Sequence, residues 1–127
     1  MYRRENTEQR RILIVDDEPT LRRILGVSLA ALGFDTAEAS TGEQALSLAK
    51  ANHYDLVLLD VEMPGIGGIE TCREMHATWP QMPVVMLTVR DGKEDKARAV
   101  EAGAVDYLTK PYRFGDLVAR IRALLDS

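Results

Sequence analysis

The sequence predicts a doubly wound α/β fold, a five-stranded parallel sheet wrapped by five helices. Three observations carry this. Apolar runs at 12–15, 56–59 and 84–87 do not alternate with polar residues, as expected of strands buried on both faces. Stretches of helical periodicity separate them. A polar or charged residue follows each run, at the sheet edge where such folds gather their chemistry.

The elements follow in order. The first strand, 12–15, runs into Asp16 and Asp17. Pro19 suits a first helical turn. Leu21, Ile24, Leu25, Leu29 and Leu32 then form one apolar stripe, and Gly33 is a helix stop. A second strand, 34–39, is more mixed, as an edge strand would be. Ser40-Thr41-Gly42-Glu43 reads as a capping box, with Ser40 as N-cap and Glu43 at the third helical position. Ala45, Leu46, Leu48 and Ala49 continue that helix. The third strand, 56–59, ends in Asp60. A helix at 68–79 stops before Pro80 and carries Cys72 and Trp79 on its inner stripe. The fourth strand, 84–87, ends in Thr88. The helix at 93–102 is stopped by Gly103, and its apolar face holds only small residues such as Ala97 and Val100, so its packing is weak. The fifth strand, 107–109, leads to Lys110 and Pro111. Leu117, Val118, Ile121, Leu124 and Leu125 mark the last helix. Right-handed crossovers place helices on both faces.

The 127 residues suit one compact domain, at 11–127, behind a polar N-terminal tail at 1–10 that reads as flexible. A net charge of −4 argues against a nucleic-acid surface on this chain. Cys72 is the one cysteine, which excludes an internal disulfide and a cysteine-based metal site. No apolar run approaches the ~18 residues that span a membrane. The tail lacks the apolar stretch of a signal peptide, so the expected location is cytoplasmic. His53 and His76 fall within or just after helices, away from the strand ends, and read as surface residues. Gly65-Ile66-Gly67-Gly68 is no dinucleotide fingerprint, because Glu70 stands where a third small residue belongs.

Asp16, Asp17, Asp60, Thr88 and Lys110 all fall just beyond strand ends. Singly, an aspartate there fits a turn or a helix cap. Jointly they do not, since three like charges at one edge repel unless a cation or shifted pKa values relieve them. Oxygen-only ligands without His or Cys suit a hard divalent ion such as Mg2+, and Lys110 adds a further positive charge.

Four segments then carry a resemblance. Ile12-Leu13-Ile14-Val15-Asp16-Asp17-Glu18 resembles the opening motif of response-regulator receiver domains. So do Leu58-Leu59-Asp60-Val61-Glu62-Met63-Pro64-Gly65, Met86-Leu87-Thr88, and Gly103-Ala104-Val105-Asp106-Tyr107-Leu108-Thr109-Lys110-Pro111. The likeness covers about residues 11 to 125 and implies a flavodoxin-like sheet of order 2-1-3-4-5. It implies that Asp60 accepts a phosphoryl group from a sensor histidine kinase, in a module that catalyses its own phosphotransfer and loses the group slowly. It further implies that Asp17 binds Mg2+ directly, Asp16 through water, and Glu62 through its backbone carbonyl. Lys110 would bind a phosphoryl oxygen, and Thr88 would donate its hydroxyl to another. Tyr107 matches the aromatic switch residue, and the Lys110–Pro111 bond is expected to be cis.

The last third most resembles receivers of the OmpR/PhoB type, which act on transcription and dimerise through the fourth helix, fifth strand and fifth helix. That implies cross-subunit pairs Lys96–Asp116 and Asp106–Arg120 around Ala97, Val100 and Val118; the same charges also suit solvated helix faces. A third pair would need an acid at Val105 opposite Arg122, so a dimer should be weaker for lacking that pair. Such proteins meet DNA only through an output domain absent from this chain. The sequence leaves open whether this receiver stands alone or belongs to a longer regulator.

Gly67 replaces the Asp or Asn common in the family before the next glycine, and Val89 replaces a smaller residue after Thr88. Val89 could crowd the phosphoryl site or be ordinary loop variation. Glu62 and Arg90, two residues past Asp60 and Thr88, could bridge and hinder the attacking water, or be a solvated pair of little weight. Two rival functions compete with this one. An aspartate-nucleophile phosphohydrolase of the haloacid dehalogenase type would want an Asp at Glu62 and a cap domain. A phosphorylation-independent binding module would not need the full residue set.

Overall fold

The structure, a computed structural model, describes residues 10–126. Apart from Arg10, the expected tail lies outside the described residues, as does Ser127. Ten elements alternate: β1 (Arg11–Val15), α1 (Pro19–Ala30), β2 (Asp35–Ala39), α2 (Gly42–Ala51), β3 (Leu56–Asp60), α3 (Gly67–Thr78), β4 (Val84–Thr88), α4 (Lys93–Glu101), β5 (Asp106–Thr109) and α5 (Phe114–Leu125). The sheet is parallel throughout, in the order β2-β1-β3-β4-β5. The predicted architecture and strand order are therefore those observed.

The three central strands are apolar on both faces because both faces are covered. Leu13, Val15, Val57, Leu59, Val84 and Met86 point to one side, where Ala45, Ala49, Cys72, Met75 and Ala99 of α2, α3 and α4 pack on them. Ile12, Ile14, Leu56, Leu58, Val85 and Leu87 point to the other, against Leu29 of α1 and Leu117 and Ile121 of α5. Side-chain alternation along each strand thus feeds two cores at once. Cys72 is buried as expected, Trp79 is partly so, and His53 and His76 are exposed.

Three local expectations need correction. The second helix is capped by Thr41, whose hydroxyl accepts the Gln44 N–H at 3.0 Å, while Gln44 Oε1 accepts the Ser40 N–H at 2.7 Å. The cap thus falls one residue later than Ser40, and Gln44, not Glu43, reaches back, to the N–H before the cap rather than to that of the cap itself. In α4 the inward residue is Ala99; Ala97 and Val100 face solvent. In α1, Gly26 and Leu29 are the buried residues, and Leu21, Ile24 and Leu32 of the expected inner stripe are largely exposed.

Two glycines place the third strand's tip. Gly67 opens α3 at φ +79°, a region where Asn and Asp are the best tolerated non-glycine residues, which accounts for the family's alternatives there. A Cβ on Gly68 would lie 2.3 Å from the Asp60 carbonyl oxygen, so only glycine lets the first turn of α3 pack on the backbone that carries Asp60.

Candidate functional site

Parallel strands end together, so β1, β3, β4 and β5 deliver their last residues to one edge. Asp16 and Asp60 are buried there, and Thr88 is fully so. Asp17 is exposed beside them. Asp16, Asp17 and Asp60 can each offer a carboxylate oxygen such that all three lie within 4.8 Å of one another. Lys110 Nζ stands 3.4 Å from Asp16 Oδ2 and 3.7 Å from Asp60 Oδ1. The Lys110–Pro111 bond is cis. Four of the five residues expected to converge thus form one charged cluster, and Thr88 closes its other side.

One ammonium does not neutralise three carboxylates. Burial pushes the Asp60 carboxyl up to about 6; Lys110 opposes this, while Asp16 and Asp17 add to it. Such excess negative charge on hard oxygen donors is what a divalent cation relieves, so the residues present fit Mg2+. Glu62 gives Asp60 Oδ1 its backbone N–H at 3.3 Å, and its exposed carboxylate pairs with Arg90. The bridge considered between those two side chains is formed.

On the β4 side, Thr88 Oγ1 accepts the Arg90 N–H at 3.1 Å, and the Tyr107 hydroxyl donates to the Arg90 carbonyl. Arg90 is thereby held through its backbone and its side chain at the rim. On the β1 side, Asp16 donates its N–H to the Ala39 carbonyl at 3.1 Å and accepts the Glu18 N–H at 2.9 Å.

Sequence reasoning passed over two features. Tyr112 lies half-buried near the cluster, and burial, then the charges of Asp16 and Asp60, raise its phenol pKa. A groove of about 520 Å3 runs from Asp16 and Lys110 along Leu21, Ile24, Leu25, Val89, Pro111 and Phe114. Val89 is an exposed part of that groove's wall. The signal for the groove was a surplus: α1 carries more large apolar residues than one sheet face can bury.

The residues expected at a dimer face lie around β5. Lys96 Nζ sits 5.9 Å from the Tyr107 ring centre, and Lys96, Tyr107, Asp116 and Arg120 line one depression. Arg120 pairs with Asp106 inside the chain, at 2.6 Å. Ala97 and Val100 are exposed beside them, and Val118 is half-buried.

Comparison with known proteins agrees with this arrangement. The family model described as "Response regulator receiver domain" matches residues 12–122. The DNA-binding response regulator MtrA of Mycolicibacterium smegmatis is 44% identical over 120 residues, which is 94% of this chain and 52% of MtrA. The chain therefore spans about half the length of that relative. A CheY-like receiver domain protein from Methanospirillum hungatei superposes with a TM-score of 0.89 at 30% identity, covering 93% of this chain and 94% of the other. The response regulator TrrA of Thermotoga maritima, solved in complex with Mg(2+)-BeF, has a TM-score of 0.83 at 34% identity, covering 91% and 98%. Among the described residues no helix is long and apolar enough to cross a membrane. With the fold, the cluster and these likenesses in agreement, the chain belongs to the response-regulator receiver-domain family of two-component systems.

Proposed function

We propose that Asp60 is the phosphoryl acceptor of a two-component response regulator, charged by a phosphohistidine on a sensor histidine kinase in the cytoplasm. The observation that carries this reading is the joint placement of Asp60, Asp16, Asp17 and the Lys110 ammonium within a few ångströms of one another. Asp17, Asp16, Asp60 and the backbone of Glu62 would hold Mg2+. When bound, that ion supplies neutralisation of the acidic cluster and of the phosphoryl oxygens.

The chain's own residues do the rest. An Asp60 carboxylate oxygen forms a bond to phosphorus as the donor's phosphorus–nitrogen bond breaks, and the electron pair returns to the imidazole. Positioning and charge complementarity dominate such a transfer, because little covalent machinery is needed. Lys110 meets one phosphoryl oxygen with its ammonium. The acyl phosphate carries nearly two negative charges where the carboxylate carried one, and it brings new acceptor oxygens. Thr88 would exchange the Arg90 N–H for one of those oxygens, and Tyr107, now engaged with Arg90, would turn inward. That rearrangement would reshape the face of α4, β5 and α5, whose Lys96, Ala97, Val100, Asp106, Asp116, Val118 and Arg120 would then pair with a second copy. The Asp106–Arg120 pair would have to be exchanged between subunits. Transcription would follow from an output domain like that of the DNA-binding relative. The groove along α1 opens directly on Lys110, which suits an apolar helix face of the donor protein.

Phosphorylation by acetyl phosphate with Mg2+, read by intact mass, tests the reading. The wild type should gain one phosphoryl group and Asp60→Asn none; equal labelling of both would refute Asp60 as the acceptor. Ile24→Asp should slow transfer from a kinase and spare transfer from acetyl phosphate.

A further inference from the structure

Asp16 is held from outside the pocket as well as from within. Arg22, in the first half of α1, donates from Nη1 to the Asp16 carbonyl at 2.8 Å. Its Nε donates to Glu38 Oε1 at 3.0 Å. Both side chains are mostly buried, at 18% and 28% exposure. Glu38 lies in β2 opposite Ile14 of β1, and the next residue, Ala39, accepts the Asp16 N–H. Arg23 approaches the other Glu38 oxygen at 3.4 Å. The result is a brace that starts in β2, passes through α1 and ends on the backbone between Asp16 and Asp17.

We propose that Arg22, fixed by Glu38, is a positioning residue that orients the Asp16–Asp17 peptide for divalent cation binding. The proposal rests on the reading of the acidic cluster as a Mg2+ site. The Asp16 carbonyl and the Asp17 N–H belong to one planar peptide. A donor on that carbonyl therefore sets the plane, and with it the direction in which the Asp17 side chain leaves the backbone. The planar guanidinium spans two acceptors at once, which a lysine ammonium does less well. Its charge is permanent, and the Glu38 carboxylate offsets it, so the brace orders the loop without repelling a cation. Ordering the loop during folding removes an entropic cost that would otherwise fall on metal binding. Groups that act through a metal ligand in this way typically change affinity by about 10- to 100-fold.

The test is direct Mn2+ binding to the full chain, followed by electron paramagnetic resonance of the free ion, with Mg2+ as competitor. Wild type, Arg22→Ala, Arg22→Lys, Glu38→Gln and Asp17→Asn are compared, and the melting temperature of each metal-free protein is recorded. Arg22→Ala should weaken Mn2+ binding about 10-fold. Arg22→Lys should weaken it less, because one ammonium cannot hold both acceptors; it carries the test if the alanine variant does not fold. Glu38→Gln should weaken it too, by leaving the guanidinium uncompensated. Folded Arg22 variants that bind Mn2+ within twofold of wild type, with only a lower melting temperature, would overturn the proposal while leaving the metal site intact. A wild type that binds no Mn2+, or an Asp17→Asn variant that binds as well as wild type, would instead defeat the metal reading itself.

Discussion

Asp16 follows β1 and Thr88 ends β4, on opposite sides of Asp60, and the two loops they begin are secured by different means. Every polar group of Asp16 has a partner: its N–H on Ala39, its carbonyl on Arg22, and its carboxylate oxygens on the Glu18 N–H and Lys110. Ala39 and Arg22 belong to β2 and α1, Glu18 caps α1, and Lys110 directly follows β5, so the partners sit on or next to elements that the sheet and both cores fix in place. Past Thr88 the loop is tied through Arg90 to two groups at the surface, Glu62 and Tyr107. The helix that follows, α4, buries only Ala99. Few buried apolar contacts and exposed polar ties mean low local stability. One wall of the pocket is thus suited to presenting oxygens in a set arrangement, the other to being redrawn when new charge arrives. A switch needs both, since a small change at the site is amplified only where an alternative arrangement is close in free energy.

The largest effect that would sharpen this contrast is on chemistry. Asp17→Asn on the fixed wall should slow Mg2+-dependent phosphorylation by acetyl phosphate about 100-fold. Thr88→Ala on the mobile wall should slow it much less, yet abolish the response of α4. Labelling kinetics paired with amide exchange of residues 93–101 would show the split. If Thr88→Ala proved as damaging to the rate as Asp17→Asn, the division of labour would be wrong.

Amide exchange in the untreated protein should differ next. The α4 amides should exchange at least ~10-fold faster than those of α1, because far less free energy opposes their opening. Equal protection would break the comparison.

A smaller effect concerns stability and pH. Burial holds Asp60 up to about 6, above its ordinary 3.8, so the folded state binds its proton more tightly than the unfolded chain. The ionised form therefore costs stability in full above pH ~6. That cost shrinks as pH falls through 6 and is gone below the unfolded value. Without metal, Asp60→Asn should raise the melting temperature by a few degrees at pH 7.5, and most of the gain should be lost by pH 4. A gain that persists or grows at pH 4 would contradict the burial account.

The smallest expected change is at the rim. Glu62→Ala and Arg90→Ala should barely alter the melting temperature, since exposed pairs add little. Each should shorten the lifetime of the phosphorylated form by opening a path for water. If neither accelerates dephosphorylation, the bridge has no protective role.

The central strands were legible because burial on both faces leaves a sequence mark that nothing else in the chain imitates. The reactive cluster was legible because parallel strands must end at one edge, so the residues after Val15, Leu59, Leu87 and Thr109 had to meet. The pattern misleads where the residues do not set a helix phase. In α4, Ala97, Ala99 and Val100 are too small to declare which side faces in, and Ala99 won because it sits over the sheet. In α1, apolar residues surround more than half of the helix, and the exposed Leu21 and Ile24 looked like core. The cap falls one residue later than Ser40 because Ser40 and Thr41 are both competent caps, and Gln44 rather than Glu43 is the side chain that reaches back. The role of Arg22 is not legible in the sequence because it depends on the β1–β2 register that puts Glu38 opposite Ile14, a pairing no local pattern encodes.

The most direct measurement is to treat the chain with acetyl phosphate and Mg2+, reduce the product with borohydride, and map the peptides by mass. An acyl phosphate is reduced to an alcohol, so the account predicts homoserine at position 60 and unaltered aspartate at 16 and 17. Reduction at either of those two positions, or at none of the three, would contradict it.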